Sequence, residues 1–186
     1  ANAVNSLVES LAPMVEEIAG GTVCLKILSN LADRRLARAV VRVPFTALGR
    51  DGIPGDEVAV RMLYAYEFAA NDPYRATTHN KGIMNGIDAV AIATGNDWRS
   101  IEAAAHAYAS RDGSYRSLTT WSIEDEHFVG AIELPMAVST VGPMVQSHPR
   151  VRLALRRLAV SSARELAGIM AAVGLASNMA AMRALA

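Results

Sequence analysis

The sequence predicts an α+β fold rich in helix, and three observations carry that expectation. Most of the chain reads as segments with apolar residues at helical spacing. The few alternating segments come in pairs instead of alternating regularly with helices, which favours short antiparallel strands over a βαβ series. No Gly-x-Gly-x-x-Gly run follows a strand pattern: neither Gly20-Gly21 nor Gly82-x-x-x-Gly86 fits that phosphate cradle, so a Rossmann domain is not expected.

Taken in order, Val4, Leu7, Val8, Leu11, Val15 and Ile18 recur at helical spacing, with Pro13 inside the pattern and Gly20-Gly21 as its stop. Thr22 to Leu28 reads as a strand, and the polar, turn-prone Ser29-Asn30-Leu31-Ala32-Asp33 marks a possible domain boundary. Arg38 to Phe45 alternates as a second strand. Gly49 to Gly55 is a loop, and a helix follows from about Asp56 to Ala70. Asn71-Asp72-Pro73-Tyr74 breaks that helix and delivers Arg75 and the polar Thr77 to Lys81 stretch, after which a dense apolar series runs from Gly82 to Thr94. Asn96 or Asp97 caps a helix to Ser110, closed by Arg111-Asp112-Gly113. Ser117 to Trp121 and His127 to Leu134 read as strands joined by the acidic turn Glu124-Asp125-Glu126, and two helices follow from about Pro149, joined near Ser161-Ser162.

With 52% hydrophobic and 19% charged residues, the 186-residue chain has enough apolar material for a real core. Lys plus Arg and Asp plus Glu number 18 each, which removes any electrostatic reason to expect nucleic acid or an anionic membrane as partner. Arg150, Arg152, Arg156 and Arg157 sit at helical spacing beside Val151, Leu155 and Leu158 and read as a solvated face. The single cysteine, Cys24, excludes an internal disulfide and fits a reducing compartment; its neighbours make it read as a core residue, and no adjacent base or helix start would activate its thiol. Leu166 to Met182, uncharged but shorter than a bilayer span and containing Gly168, Gly174, Ser177 and Asn178, reads as a buried helix. The abrupt ends, Ala1 at one and Ala-rich helix formers at the other, suggest a piece of a longer polypeptide.

Candidate chemistry concentrates in Thr77-Thr78-His79-Asn80-Lys81-Gly82-Ile83-Met84-Asn85-Gly86 and in Ala93-Thr94-Gly95-Asn96-Asp97, where charge and amides enter an otherwise apolar chain. Lys81 is expected at the start of the helix opened by Gly82, where the macrodipole disfavours a cation by roughly 0.3 to 1 kcal/mol. Asp97 is the obvious counter-charge. One unbroken helix over 81–97 would hold its ends about 24 Å apart, so either the segment breaks, near Gly86 or Asp88, or Lys81 and Asp97 meet across subunits. The apolar run Ile87 to Ala93 favours a break into a buried strand.

These two runs resemble the catalytic lysine and aspartate segments of class II (bacterial, soluble) 3-hydroxy-3-methylglutaryl-CoA reductases. The resemblance extends to Ser29-Asn30-Leu31-Ala32-Asp33, Asp72-Pro73-Tyr74-Arg75, His106 to Ser110, Ser117 to Trp121 and Met182 to Ala186. It implies the end of a small non-Rossmann, ferredoxin-like NAD(P)-binding domain over 1–29, then a helix-rich substrate-binding and dimerisation domain over 30–186. It implies four-electron reduction of HMG-CoA to mevalonate and CoA, or the reverse, with NAD(H) or NADP(H), in the cytoplasm, by a homodimer or an oligomer of dimers. Lys81 would stabilise the oxyanion, Asp97 would tune it, Arg75 would hold a substrate carboxylate and Asn85 would hydrogen-bond the substrate, while Asn2 and Asn30 would contact the cofactor. A plain helix cap explains Asn2 nearly as well.

The family's catalytic glutamate and flap histidine match nothing in this chain, so the chain alone is expected to be inactive. His79 is close enough to Lys81 to line the site. His106, His127 and His148 read as surface or packing residues, with no metal-ligand spacing among them. The competing reading is a non-catalytic acyl-CoA-binding or assembly module in which Lys81 and Arg75 only hold anionic groups.

Overall fold

The computed structural model describes residues 2–186, apart from the side chains of Asn2 and Gln146. The fold class is as expected: helices dominate, and among the described residues three strands form one antiparallel sheet. Helix α1 spans Asn2–Ala19 with Pro13 inside it. It ends where Gly20, at φ +68°, donates its N–H to Glu16 O at 2.9 Å, a left-handed stop that glycine adopts without steric cost.

The strand expected over Thr22 to Leu28 does not form. That segment runs irregularly, tied back to α1 where Glu16 Oε1 accepts the Val23 N–H at 2.7 Å and Asn5 Oδ1 accepts the Leu28 N–H at 3.1 Å. A strand needs a partner, and none lies beside this one among the described residues. Leu25 and Ile27 are consequently 80% and 71% exposed, and Cys24 is exposed instead of in the core.

Strands β1 (Leu36–Pro44), β2 (Thr119–Glu124) and β3 (His127–Pro135) lie in the order β1-β3-β2, with Val40 opposite Ala131 and Trp121 opposite Gly130. The acidic turn joins β2 to β3 as expected. Asp125 and Glu126 both take positive φ, 45° and 63°, the twist-matching geometry of a tight hairpin. Phe128, Ile132 and Leu134 point alternately from β3 into the core, and Phe128 stacks on Trp121 with ring centres 4.7 Å apart.

Helix α2 (Gly55–Asn71) leads directly into α3 (Pro73–Ala93). Then come α4 (Trp98–Ala109), a short unforeseen α5 (Pro143–Ser147), α6 (Pro149–Leu158) and α7 (Ala163–Leu185), whose first turn Ser162 caps by accepting the Glu165 N–H. Arg150, Arg152, Arg156 and Arg157 are exposed on α6 while Val151 is buried, as the pattern predicts. By length and apolar composition alone α7 could cross a membrane. In the fold it is the central helix, packing on α3, β1 and β3 through Leu166, Met170, Leu175 and Met182, each stabilising by roughly 1.5 to 3 kcal/mol when fully buried.

The α3 and α7 backbones approach closely because glycines face the contact. A Cβ on Gly86 would sit 2.4 Å from Ser177 Oγ, and one on Gly174 would sit 2.8 Å from Ile87 Cδ1. This close seam fixes how α3, which carries the candidate chemistry, sits against the core.

Candidate active site

Asp72 and Pro73 do more than end α2. Asp72 Oδ1 accepts the Tyr74 N–H at 2.9 Å, and Pro73 occupies the first helical position, where its missing N–H costs nothing. Helix α3 therefore begins at Pro73 and continues unbroken to Ala93, taking in the polar Thr77 to Lys81 stretch expected to precede a helix opened by Gly82. Neither Gly86 nor Asp88 interrupts it, Ile87 to Ala93 is helix and not strand, and Lys81 lies two turns inside, so the expected penalty at a helix start does not apply. The polar stretch suits a helix because its residues divide by face: His79 and Asn80 are buried, while Thr77, Thr78 and Lys81 are exposed.

On the exposed face, Lys81 and Asn85 stand one turn apart and project from neighbouring positions. Arg75, half-buried, lies earlier on the same helix and one turn before His79. Lys81 and Asp97 form no ion pair within the chain. The helix explains this. Asn96 N–H bonds Ala91 O at 2.8 Å, which keeps Asp97 near the level of Ala91, about 15 Å along the axis from Lys81.

Asp97 caps α4 as expected, its Oδ1 accepting the Ser100 N–H at 3.2 Å. Ser100 Oγ in turn donates to Asn30 Oδ1 at 3.1 Å. The structure thus brings Asn30 and Asp97, 67 positions apart in sequence, to either side of one serine. Sequence reasoning missed Ser100, and only its position three residues after a helix cap hinted at it. Asn2 is the first residue of α1, and its side chain lies outside the described residues.

His79 does not line the site. It is buried and turned inward, its Nε2 3.0 Å from both Thr119 Oγ1 and Asn178 Nδ2. Asn178, 1% exposed on α7, also accepts Trp121 Nε1–H at 2.8 Å and Thr119 Oγ1–H at 3.0 Å through its Oδ1. Burial, helped by the Arg75 charge, pulls His79 down to about 4 and keeps the imidazole neutral. Asn80, fully buried, donates to Arg116 O at 2.8 Å and accepts the Leu118 N–H at 2.9 Å. These two residues fasten the Lys81 turn of α3 to β2 and α7.

Asp88, two turns beyond Lys81, faces Glu102 of α4. Burial first, then the hydrogen bond and charge of Glu102, raise its carboxyl to about 7. The remaining histidines are as expected: His106 bonds Tyr115 OH, His127 bonds a turn carbonyl, and His148 is exposed. No cluster of His, Cys, Asp or Glu among the described residues could hold a metal ion.

Fold and site define an α+β protein whose candidate chemistry lies along one exposed helix face, with a second group at the start of the following helix. Comparison with known proteins is specific. The hydroxymethylglutaryl-coenzyme A reductase family profile matches residues 1–186, and the chain belongs to that family. It is 51% identical, over its whole length, to the 3-hydroxy-3-methylglutaryl-coenzyme A reductase of Archaeoglobus fulgidus, covering 42% of that protein. It is 38% identical to a probable 3-hydroxy-3-methylglutaryl-coenzyme A reductase of Borreliella burgdorferi, covering 43% of it. The whole fold superposes on the 3-hydroxy-3-methylglutaryl-coenzyme A reductase from Streptococcus pneumoniae, with TM-score 0.91 and 50% identity over 44% of that chain. A class II S. pneumoniae structure bound to NADPH in open conformations gives 0.90 and 50% identity, with 45% of that chain covered. The chain thus spans about two-fifths of the length of the curated relatives it matches.

Proposed function

We propose that this chain forms the substrate-binding part of an NAD(P)H-dependent oxidoreductase that reduces HMG-CoA to mevalonate and CoA in two hydride transfers, or runs the reverse oxidation. One observation carries the reading. Helix α3 holds Lys81 and Asn85 one turn apart on an exposed face, with no carboxylate of the same chain paired to the lysine. An ammonium left unpaired within its own chain and carried on an exposed helix face suits an oxyanion binder, since it can meet the charge that develops on a substrate.

In the first transfer, hydride from the reduced nicotinamide adds to the thioester carbonyl carbon, and the carbonyl oxygen becomes an oxyanion. Lys81 stabilises that charge. Collapse of the adduct expels the CoA thiolate and leaves an aldehyde. The second hydride generates an alkoxide at the same oxygen, again beside Lys81, and a proton from an acid of the complete enzyme, for which this chain offers no assigned donor, gives the alcohol. Asn85 orients the substrate by hydrogen bonding, and the Arg75 guanidinium holds the far carboxylate of the hydroxymethylglutaryl group.

Asp97 serves the lysine from a second copy of the chain, because an unbroken α3 keeps the two apart within one copy. Asn30, tied to Asp97 through Ser100, places a cofactor contact next to that carboxylate. Asn2 is the other cofactor contact. Residues 1–29 belong with the cofactor-binding domain and 30–186 with the substrate-binding and dimerisation domain. The working form is a cytoplasmic homodimer, or an oligomer of dimers, that engages neither nucleic acid nor membrane.

The test is a chimera in which this chain replaces the matching segment of the S. pneumoniae enzyme. It should oxidise NAD(P)H in the presence of HMG-CoA. Lys81→Ala should remove hydride transfer by at least ~100-fold while leaving HMG-CoA binding within about 3-fold. Equal losses of binding and turnover would point to a lysine that only holds an anionic ligand.

A further inference from the structure

An open groove of about 620 Å³ lies between the entry to β1 and the first turns of α7, lined by Arg34, Arg35, Arg38, Met136, Arg164 and Gly168 among others. Four guanidiniums border one concavity in a chain of zero net charge. Arg38 has a partner, the Glu133 carboxylate. Among the described residues, Arg34, Arg35 and Arg164 have no hydrogen-bond or ion-pair partner for their side chains, and all three are exposed. The three unpaired guanidiniums repel one another, and such an arrangement gains most from an anion that bridges them.

The position of Arg164 sharpens the point. It is the second residue of α7, where the helix presents the positive end of its macrodipole and a cation is disfavoured. Ser162 Oγ accepts the Glu165 N–H and Ser162 O accepts the Leu166 N–H, while the N–H groups of Ala163 and Arg164 have no acceptor among the described residues. Glu165, the acid next to Arg164 in sequence, is engaged elsewhere: its Oε2 accepts from Ser161 N–H at 2.7 Å and Ser161 Oγ at 2.9 Å. Opposite, the Arg35 backbone is fixed by its bonds to Ala32 O and Met136 N, which holds Arg34 and Arg35 at the groove edge. Three unpaired guanidiniums and the first turn of α7 line one hollow, and forked donors of this kind match the oxygen-rich, multiply charged phosphate group.

We propose that this groove is a phosphate site that takes the pyrophosphate or phosphomonoester of an organic phosphate. Its source rests on the reductase reading above: either the phosphorylated adenosine end of CoA or that of the nicotinamide dinucleotide. The groove lies on the α7 and β1 side of the fold and includes none of Lys81, Asn85, Arg75 or Asp97, so it is a separate contact for a long ligand.

The experiment titrates the chain with inorganic pyrophosphate, CoA and NADPH by calorimetry at low salt. Arg34→Gln/Arg164→Gln, Arg35→Gln and the off-groove control Arg150→Gln are measured beside the wild type, with far-UV circular dichroism to confirm the fold. The wild type and Arg150→Gln should bind pyrophosphate alike, and the double variant should bind it at least ~10-fold more weakly, with Arg35→Gln between them. Tighter binding of CoA than of NADPH, lost in the double variant, assigns the site to CoA; the converse assigns it to the dinucleotide. No pyrophosphate binding by the wild type, an unchanged double variant, or equal weakening by Arg150→Gln overturns the proposal. None of these results bears on hydride transfer by the chimera, so the groove and the reductase reading fail separately.

Discussion

Replacing Asn178 with alanine should be among the most damaging single changes in this chain, and the cost can be worked from the hydrogen bonds. Asn178 Oδ1 accepts from Trp121 Nε1 and Thr119 Oγ1, and its Nδ2 donates to His79 Nε2, all at 3.0 Å or less. Three such bonds contribute about 1 kcal/mol each, net of hydration. The alanine strands the indole N–H in a buried space, which adds the cost of a desolvated donor without a partner, while the Thr119 hydroxyl keeps His79 Nε2 at 3.0 Å. The sum is ~3 to 4 kcal/mol, a large share of a domain stability of roughly 5 to 15 kcal/mol. Urea unfolding followed by Trp fluorescence reads it directly, since Trp121 is buried and contacts the substituted residue. A midpoint shift worth less than ~1 kcal/mol, with unchanged slope, would refute the claim that this buried clasp fastens α3 to β2 and α7.

Two further predictions concern pH, and their signs oppose. His79 is held near 4 in the fold against an ordinary value of 6.5, so between those values the unfolded chain binds more protons. Stability therefore falls as the pH drops from about 6.5 toward 4, by at most ~3 kcal/mol, because an added proton on Nε2 would face the Asn178 amide donor. Asp88 is raised to about 7 from 3.8, so between those values the folded chain holds the extra proton and stability falls as the pH rises through the window. Asp88→Asn should stabilise the chain by about 1 kcal/mol near pH 8, discounted for partial exposure, with the gain shrinking toward pH 4. Denaturation midpoints across that range test both, and the Asp88→Asn background isolates the histidine. Parallel wild-type and variant profiles would remove Asp88, and a flat acid limb in the variant would remove His79.

What was legible in the sequence was mostly local. Turn and cap chemistry announces itself over a few residues: Gly20 closes α1, Ser162 opens α7, Asp97 caps α4, and Asp125-Glu126 turns the hairpin where the acidic run predicts it. The misreadings share a cause. Thr22 to Leu28 has the composition of a strand, but whether a strand forms depends on a partner supplied by distant residues, and none lies beside it among the described residues. At Asp72-Pro73 the stop of one helix was recognised and the start of the next was overlooked, although a capping aspartate before proline is a helix-entry signature. The polar Thr77 to Lys81 stretch then looked like a loop because its two buried polar residues, His79 and Asn80, find partners 36 to 99 positions away.

The candidate site divides the same way. The residue types at Lys81, Asn85, Arg75 and Asp97 could be singled out from their chemistry and their family resemblance, and the choice between a broken and an unbroken helix could be framed from helix geometry. The helix proved unbroken. The Asn30–Ser100–Asp97 connection, the His79–Asn178 clasp and the arginine groove are tertiary, joining segments whose sequences say nothing of one another.

The most direct test of the account is subunit complementation in the S. pneumoniae chimera, because α3 is unbroken and the proposal takes Lys81 and Asp97 of one site from different chains. Lys81→Ala and Asp97→Ala chimeras, each inactive alone, are unfolded together, refolded and assayed for HMG-CoA-dependent NAD(P)H oxidation. If the pair forms between chains, each mixed dimer carries one site with both native residues, and an equal mixture should recover about a quarter of wild-type activity. If both residues of a site come from one chain, every site in every dimer carries a substitution, and the mixture should stay as inactive as its components.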